Sequence, residues 1–200
     1  MINLSSIKSK NLKINGKKIF LIMLNELKIS DKYVSWLNDK EVNKYSSRNG
    51  KTFTKNDIIN YVSSCNKSDT KLLLGIYDTL LNVHIGNILL IADYEKSCIN
   101  ISNLIGEKDY WSKGYIVDAN KHLMHFCFNY LKVKKFSMGN FSKNRASTLK
   151  SSTLGAKIIN IKENINSKFD FDKKIINFEL IPNDFYSNFQ ELKNTENWVL

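Results

Sequence analysis

Residues 99–131, INISNLIGEKDYWSKGYIVDANKHLMHFCFNYL, constrain what this 200-residue chain can fold into more than any other stretch. Apolar residues alternate at Ile99 and Ile101, continue through Leu104 and Ile105, and end at Gly106, the pattern of a strand. A polar loop with aromatic flanks follows, Glu107-Lys108-Asp109-Tyr110-Trp111-Ser112-Lys113-Gly114-Tyr115. Ala119, Leu123, Met124, Phe126, Cys127, Phe128, Tyr130 and Leu131 then recur at helical spacing. A strand that feeds a Gly- and Lys-bearing turn at the start of a helix leaves backbone N–H groups free to face an anion. The segment predicts a strand, an anion-binding turn and a helix, in that order.

Residues 71–77, 83–92 and 97–105 are strand-length apolar runs joined by short polar breaks, which predicts an antiparallel meander. Upstream, residues 18–24 (KIFLIML) have strand length. Ser30 is placed to cap a helix carrying Tyr33, Val34 and Leu37 beside Trp36, ending near Asn38 and Asp39. Residues 39–46 predict a further short helical turn, and Arg48-Asn49-Gly50-Lys51 a loop. Thr54 and Asp57 form a capping-box pattern for a helix with Ile58, Tyr61, Val62 and Cys65 on one face. Downstream, residues 135–141 predict a strand, and Asn144 opens a helix to Leu154 that Gly155 ends in a left-handed cap. Residues 157–165 and 174–181 predict a last strand pair around a loop at 166–172, with Pro182 closing the sheet. The fold class is mixed α/β of the α+β type, one largely antiparallel central sheet flanked by helices, in a single domain over 17–182. Residues 1–16 are expected to be a loosely held arm or short edge structure. Residues 183–200 read as a polar tail apart from Phe185, Tyr186, Phe189 and Trp198, and either end could support a homodimer.

Cys65, Cys98 and Cys127 are odd in number and far apart, with no CxxC pair, so neither a disulfide framework nor a metal site is expected. The start, MINLSSIKSK, lacks an apolar signal core, and no run approaches the roughly 20 apolar residues of a membrane span. A cytoplasmic protein without a membrane partner is the expectation. The formal charge of +11 favours an anionic partner, although Lys, Asn and Ile abound throughout and the lysines form no block. No nucleic-acid-binding motif appears, so nucleic acid is not expected as a partner.

The element order resembles the GNAT superfamily of acyl-CoA N-acyltransferases. It does so together with YVSWLNDKEV at 33–42, Arg48 with Thr52 and Thr54, His84-Ile85-Gly86-Asn87-Ile88, and Ile105-Gly106-Glu107-Lys108-Asp109-Tyr110-Trp111. These segments look like the branch that holds ribosomal-protein N-terminal acetyltransferases and amino-sugar N-acetyltransferases. The family's pyrophosphate loop, Arg/Gln-x-x-Gly-x-Gly/Ala, falls on Trp111, Ser112, Lys113, Gly114, Tyr115 and Ile116. Gly114 fits, whereas Ile116 stands where Gly or Ala is usual, which keeps the N–H but crowds the approach. The resemblance implies acetyl-CoA as the cofactor. Asn144 and Ser147 fit the family's contacts to the pantetheine arm and phosphate region, Asn144 also reading as a plain helix cap, and Ala156 replaces a family Phe.

Amide formation from a thioester needs a neutral amine, a polarised carbonyl and a proton for the departing thiolate. In the family a backbone N–H at the splayed strand end polarises the carbonyl, here near Asn103, Leu104 and Ile105. Glu107 is the candidate base, its other reading a surface carboxylate balancing Lys108 and Lys113. Asp109 and His84 are weaker candidates, His84 reading first as a structural residue, and His122 and His125 as packing or surface residues. Ser151 stands where many members place a proton-donating tyrosine, so Ser151 or Ser152, Tyr110, Tyr115 or solvent must serve. The resemblance puts Trp36, Asn38, Asp39, Tyr45, Arg48, His84 and Asn87 on the acceptor side, Arg48 toward a nucleotide phosphate and Trp36 or Tyr45 toward a base or sugar. The bland alternative makes Trp36 core and Arg48 a solvated loop residue. The expected function is acetyl-CoA-dependent N-acetylation by direct attack of a small-molecule amine, a nucleotide-linked amino sugar of surface-glycan biosynthesis. The alternatives are a protein N-terminal acceptor and an acyl-CoA-binding module without turnover, the latter motivated by Ile116, Ser151 and Ala156.

Overall fold

A computed structural model describes residues 3–163 and 174–200; the loop predicted at 166–172 lies outside the described residues. Among these, nine strands form one sheet in the order β7-β8-β6-β5-β4-β3-β2-β1-β9. They are β1 (Lys13–Asn15), β2 (Ile19–Met23), β3 (Lys71–Asp78), β4 (His84–Asp93), β5 (Cys98–Ile105), β6 (Lys135–Phe141), β7 (Lys157–Glu163), β8 (Lys174–Leu180) and β9 (Trp198–Val199). The helices are α1 (Ser5–Lys8), α2 (Asp31–Asn38), α3 (Lys55–Lys67), α4 (Tyr115–Asn129), α5 (Arg145–Thr153) and α6 (Pro182–Asn188).

Local chemistry sets the helix starts. The Ser30 side chain accepts from the Tyr33 amide to begin α2, and Thr54 and Asp57 cap each other's backbone at the start of α3. Residues 39–46 form a single helical turn closed by the Asn43 amide on the Asp39 carbonyl at 3.0 Å, followed by tighter turns. The Asp39 carboxylate caps that turn, accepting from the Glu41 and Val42 amides at 2.8 and 3.1 Å.

The strands β3, β4 and β5 form the predicted antiparallel meander. Its residues are buried on both faces, Leu72, Leu74 and Ile76 in the main core with α4, and Leu73 in a second core under α2 and α3. Only β5 and β6 run parallel, because α4 crosses between them. Their pairing covers Cys98–Asn100 against Lys135–Ser137 alone, while β6 continues beside β8 to the Phe141–Ile175 pair and β5 continues beside β4. The sheet therefore opens between the C-terminal halves of β5 and β6.

Both chain ends are more tightly held than the sequence predicts. Leu4, Ile7, Leu12 and Ile14 are at most 2% exposed, and β1 lies inside the sheet between β2 and β9 rather than at a loose edge. The Lys8 ammonium donates to the carbonyls of Cys65, Asn66 and Ser68 at the end of α3. Pro182 does not close the sheet but opens α6, where its missing N–H is harmless, and Phe185 is fully buried. His122 and His125 are buried rather than at the surface. His125 Nδ1 meets the Tyr186 hydroxyl and Nε2 the Thr195 carbonyl, each at 2.9 Å, which ties the C-terminal residues to α4.

Candidate active site

Strand register locates the functional groups at the opening. The β4–β5 pairing is unbroken from Gly86–Ile105 to Asp93–Cys98, and the Gly106 amide donates to the Ile85 carbonyl at 2.9 Å. Backbone direction alternates along a strand, so Ser102 and Leu104 bond toward β4 while the N–H groups of Ile101, Asn103 and Ile105 face the opening. Among the residues expected near the polarised carbonyl, Asn103 and Ile105 turn their N–H groups to the opening. Leu104 instead packs its side chain against the second core. The Trp111 indole N–H donates to the Ile105 carbonyl at 2.9 Å and pins the following loop to the strand end.

That loop alternates in conformation. Ser112 (φ 58°) and Gly114 (φ 83°) are both left-handed, a sequence of turns that swings amides toward one side. Gly114 caps α4 without a side-chain acceptor, and the first intrahelical bond is from the Asp118 amide to the Gly114 carbonyl at 3.0 Å. The amides of Tyr115, Ile116 and Val117 are thus left for an anion. Ile116 packs its side chain on the main core, which directs it away from those amides. Lys18, a residue the sequence reading did not single out, brings its ammonium to the Lys113 carbonyl at 2.8 Å and over the Tyr115 ring at 5.4 Å. The Asp118 carboxylate accepts from the Lys18 amide at 2.8 Å. Burial would raise its pKa, but bonds from His122 and the Lys18 and Lys17 amides hold it below the usual range.

On α5 the Asn144 side chain accepts from the Ser147 amide at 3.1 Å, so its helix-cap reading is correct as far as it goes. The Ser147 hydroxyl donates to Asn140 Oδ1 at 2.6 Å, and Asn140 Nδ2 donates to Ser151 Oγ at 2.9 Å. Ser151 is fully buried and gives its proton to the Ser147 carbonyl at 3.1 Å. Its burial and this bond tie α5 to its own first turn and, through Asn140, to β6. The Tyr110 ring lies edge-on to Tyr115 at 4.8 Å. Burial and the nearby Asp78, Glu107 and Asp109 carboxylates push its pKa up, so it stays protonated.

Across the sheet, a cavity of about 610 Å³ lies between α2, α3 and the meander. Arg48, Lys51, Tyr33, Tyr61 and Asn87 line it. Burial pushes the Tyr33 hydroxyl up to about 12 and that of Tyr61 up as well, with the Arg48 charge opposing both shifts. Arg48 Nε donates at 3.3 Å to Asn43 Oδ1, and the buried Asn43 is anchored through Nδ2 to the Trp36 and Asp39 carbonyls, each at 2.8 Å. Asn43 is another residue the sequence reading missed. Asn87 is 5% exposed; its Oδ1 accepts from His84 Nε2 at 2.8 Å and its Nδ2 has no partner.

The remaining expected acceptor residues are engaged in contacts within the chain. Trp36 is 4% exposed and packs so closely on Gly106 that a Cβ there would meet its ring at 1.9 Å. Its indole N–H donates to Glu107 at 3.0 Å, and Lys32 lies 3.5 Å from the same carboxylate. Asn38 exchanges two amide bonds with the Phe53 backbone at 2.8 Å and holds the Arg48 loop. Asp39 pairs with Lys108 at 2.9 Å, whose hydrogen bond holds its carboxyl below the usual range. His84 lies among Tyr33, Trp36 and Tyr77 with ring centroids 4.9–5.9 Å away, and burial keeps it neutral by lowering its pKa. The Tyr45 ring lies 5.4 Å from the Lys44 ammonium.

The chain matches the family model for the acetyltransferase (GNAT) domain over residues 22–157. No curated protein sequence is similar to it. Solved structures with the same fold include a GNAT-family acetyltransferase from Bacillus anthracis, 16% identical over 84% of this chain and 98% of that one, with a TM-score of 0.72. The microcin C7 self-immunity acetyltransferase, in complex with acetyl-CoA and AMP, is 15% identical over 82% and 93%, with a TM-score of 0.71. The ribosomal-protein-S5-alanine acetyltransferase from Vibrio fischeri is 13% identical over 86% and 98%, with a TM-score of 0.66. At these identities the likeness is one of fold, and the family assignment comes from the domain match. The open amides at Gly114, the cation beside them and the split between β5 and β6 fit the coenzyme that family uses, and the chain belongs to the GNAT family of acetyl-CoA-dependent acetyltransferases.

Proposed function

We propose that the acceptor is the amine of a nucleotide-linked amino sugar, acetylated by direct attack within a cytoplasmic surface-glycan pathway. One observation carries this reading. The cavity beside the opening presents two cations, Arg48 and Lys51, while its lining carboxylate, Asp57, is engaged with Thr54 at the start of α3. A phosphate diester or pyrophosphate suits such a lining, and Arg48 is pre-oriented by Asn43 for it.

Acetyl-CoA supplies the activated acetyl group. The N–H groups of Asn103 and Ile105 donate to the carbonyl oxygen that gains charge. Glu107, held by Trp36 at the end of β5, takes the ammonium proton of the acceptor, directly or through water. Tyr110 returns a proton to the sulfur, a modest task for a thiolate of pKa near ~8.5. Cys65, Cys98 and Cys127 are buried, and burial pushes the Cys98 and Cys127 thiols up, which favours direct attack over a cysteine intermediate.

Thiol release from acetyl-CoA, measured over a panel of amines, tests the acceptor. Turnover is expected with uridine- or thymidine-diphosphate amino sugars and weaker turnover with the free amino sugars. Turnover with peptide N-termini alone would assign a protein acceptor, and coenzyme binding without turnover on any amine would assign a silent binding module.

A further inference from the structure

Acetylating an ammonium removes two of its three protons, and Glu107 accounts for one. A further acceptor stands one strand away. The β4–β5 register holds to the Gly86–Ile105 pair, and beyond it the amides of Gly106 and Glu107 donate to the Ile85 carbonyl at 2.9 and 3.3 Å. His84, next to Ile85, is therefore a cross-strand neighbour of Glu107 and of the Ile105 donor. Trp36 links the two side chains. Its ring centroid lies 5.0 Å from that of His84, and its indole nitrogen lies 3.0 Å from Glu107 Oε1.

The tautomer of His84 follows from its partners. Nε2 lies 2.9 Å from the Gly86 carbonyl oxygen and 2.8 Å from Asn87 Oδ1. A backbone carbonyl can only accept, so Nε2 carries the proton, the Asn87 amide turns its oxygen to it, and Nδ1 keeps the lone pair. Burial lowers the pKa of the ring and keeps it neutral, against the Asn87 and Gly86 bonds and the Glu107 charge, which act the other way. Tyr33 and Tyr77 also pack on the ring, and burial pushes both phenols up, so Glu107 is the charged group among these neighbours. Nδ1 forms no hydrogen bond among the described residues, yet it is not one of the partnerless side-chain atoms shut away from solvent. The same holds for Glu107 Oε2, since Trp36 and Lys32 both engage Oε1. Two open acceptors thus share the strand end that carries the Ile105 N–H.

We infer that His84 Nδ1 receives the second proton of the acceptor amine as the C–N bond forms, after Glu107 has taken the first. This rests on the reading of Glu107 as the base. The amine lone pair forms the bond to the thioester carbon, and the carbonyl π pair moves to the oxygen facing Asn103 and Ile105. The nitrogen, now positive, passes a proton to Nδ1. The oxygen pair then returns, the C–S bond breaks, and the thiolate takes the Tyr110 proton. The imidazolium keeps its Nε2–H on Gly86 and Asn87, bonds that strengthen with charge, and its Nδ1 proton restores Tyr110 through solvent. The products are the amide, the free thiol and one proton, released from Glu107.

The two roles separate with pH. Above about pH 9 an amine with a pKa near ~8 is neutral without help, so only the second transfer still needs a base. Steady-state thiol release is measured from about pH 7 to about 9.5 for wild type, Glu107→Gln and His84→Gln. The acceptor is a uridine-diphosphate amino sugar, or an N-terminal peptide should that be the amine that turns over. His84→Gln is expected to lower kcat about 10²-fold at both ends of the range with acetyl-CoA affinity unchanged, while the Glu107→Gln loss shrinks toward high pH. Long-range proton–nitrogen spectra of the wild type, which has three histidines, need no variant and are expected to show His84 as the neutral Nε2–H tautomer. Full kcat in His84→Gln, a His84→Gln loss that fades with pH alongside that of Glu107→Gln, or an Nδ1–H tautomer in the wild type overturns the inference. An unchanged Glu107→Gln rate near neutral pH overturns the base reading, and with it the division of protons between the two residues. Turnover with peptides alone overturns the amino-sugar reading and leaves the His84 result standing on its own.

Discussion

Glu107 owes its position to packing rather than to charge pairing alone. Gly106 has no side chain, so the Trp36 ring lies flat against the strand end and its N–H reaches the Glu107 carboxylate at 3.0 Å. The carboxylate is thereby held at the end of β5, one step beyond the donors of Asn103 and Ile105. Glu107→Gln preserves the Trp36 bond through the amide oxygen but removes the proposed base. It is expected to lower kcat by about 10²-fold or more, with little change in coenzyme affinity, in steady-state thiol-release kinetics. Full kcat at every pH would place the base elsewhere or in solvent. Residue by residue, the sequence singles out Glu107 and Arg48 as candidates because their chemistry is visible in their type. It could not name Asn43, which orients Arg48, or Lys18, which reaches the phosphate loop from the bend between β1 and β2, 95 positions away in the chain. It also offered Asn38 and Asp39 as acceptor contacts, because nothing local shows that Phe53 and Lys108 already engage them.

At the scale of elements, α5 combines a legible frame with an illegible interior. Asn144 and Gly155 announce its ends through cap chemistry, and both are where the spacing puts them. Its buried face holds Lys150, which is 7% exposed and forms no salt bridge among the described residues. Burial lowers the Lys150 pKa from the ordinary 10.5 to about 8. The unfolded chain therefore binds a proton that the folded chain lacks between those two values, and folding stability rises with pH across that window. The strain is fully present below pH 8 and is relieved as pH approaches 10.5. Lys150→Met should raise stability at neutral pH by something on the order of 3 kcal/mol, less any relaxation of the buried ammonium toward water. Denaturant unfolding of both proteins from pH 7 to about 10.5 checks this. The gap should narrow as pH rises, and a gap that is absent at pH 7 or constant with pH would contradict it. The helices α2 and α3 are the converse case, with Ser30, Thr54 and Asp57 local enough for the sequence to place both starts.

The whole molecule is built around one interruption. Among the described residues seven of the eight neighbouring strand pairs are antiparallel, and the eighth, β5 with β6, is parallel and separates after Asn100 and Ser137. The meander and the strand–turn–helix segment were readable because antiparallel neighbours and apolar periodicity are local in sequence. The packing of residues 4–14 and 182–199 was not, since it depends on Lys8 reaching the end of α3 and on β9 pairing β1 across nearly the full chain length. The central claim is that the turn at Gly114, at the mouth of the split, receives acetyl-CoA. Calorimetric titration of acetyl-CoA into the wild-type chain and into Gly114→Val tests it most directly, since a β-branched residue at φ 83° distorts the turn and intrudes on its amides. A saturable one-to-one heat, weakened about tenfold or more by the substitution, is the result the account predicts, and no saturable heat from the wild-type protein is the result that contradicts it.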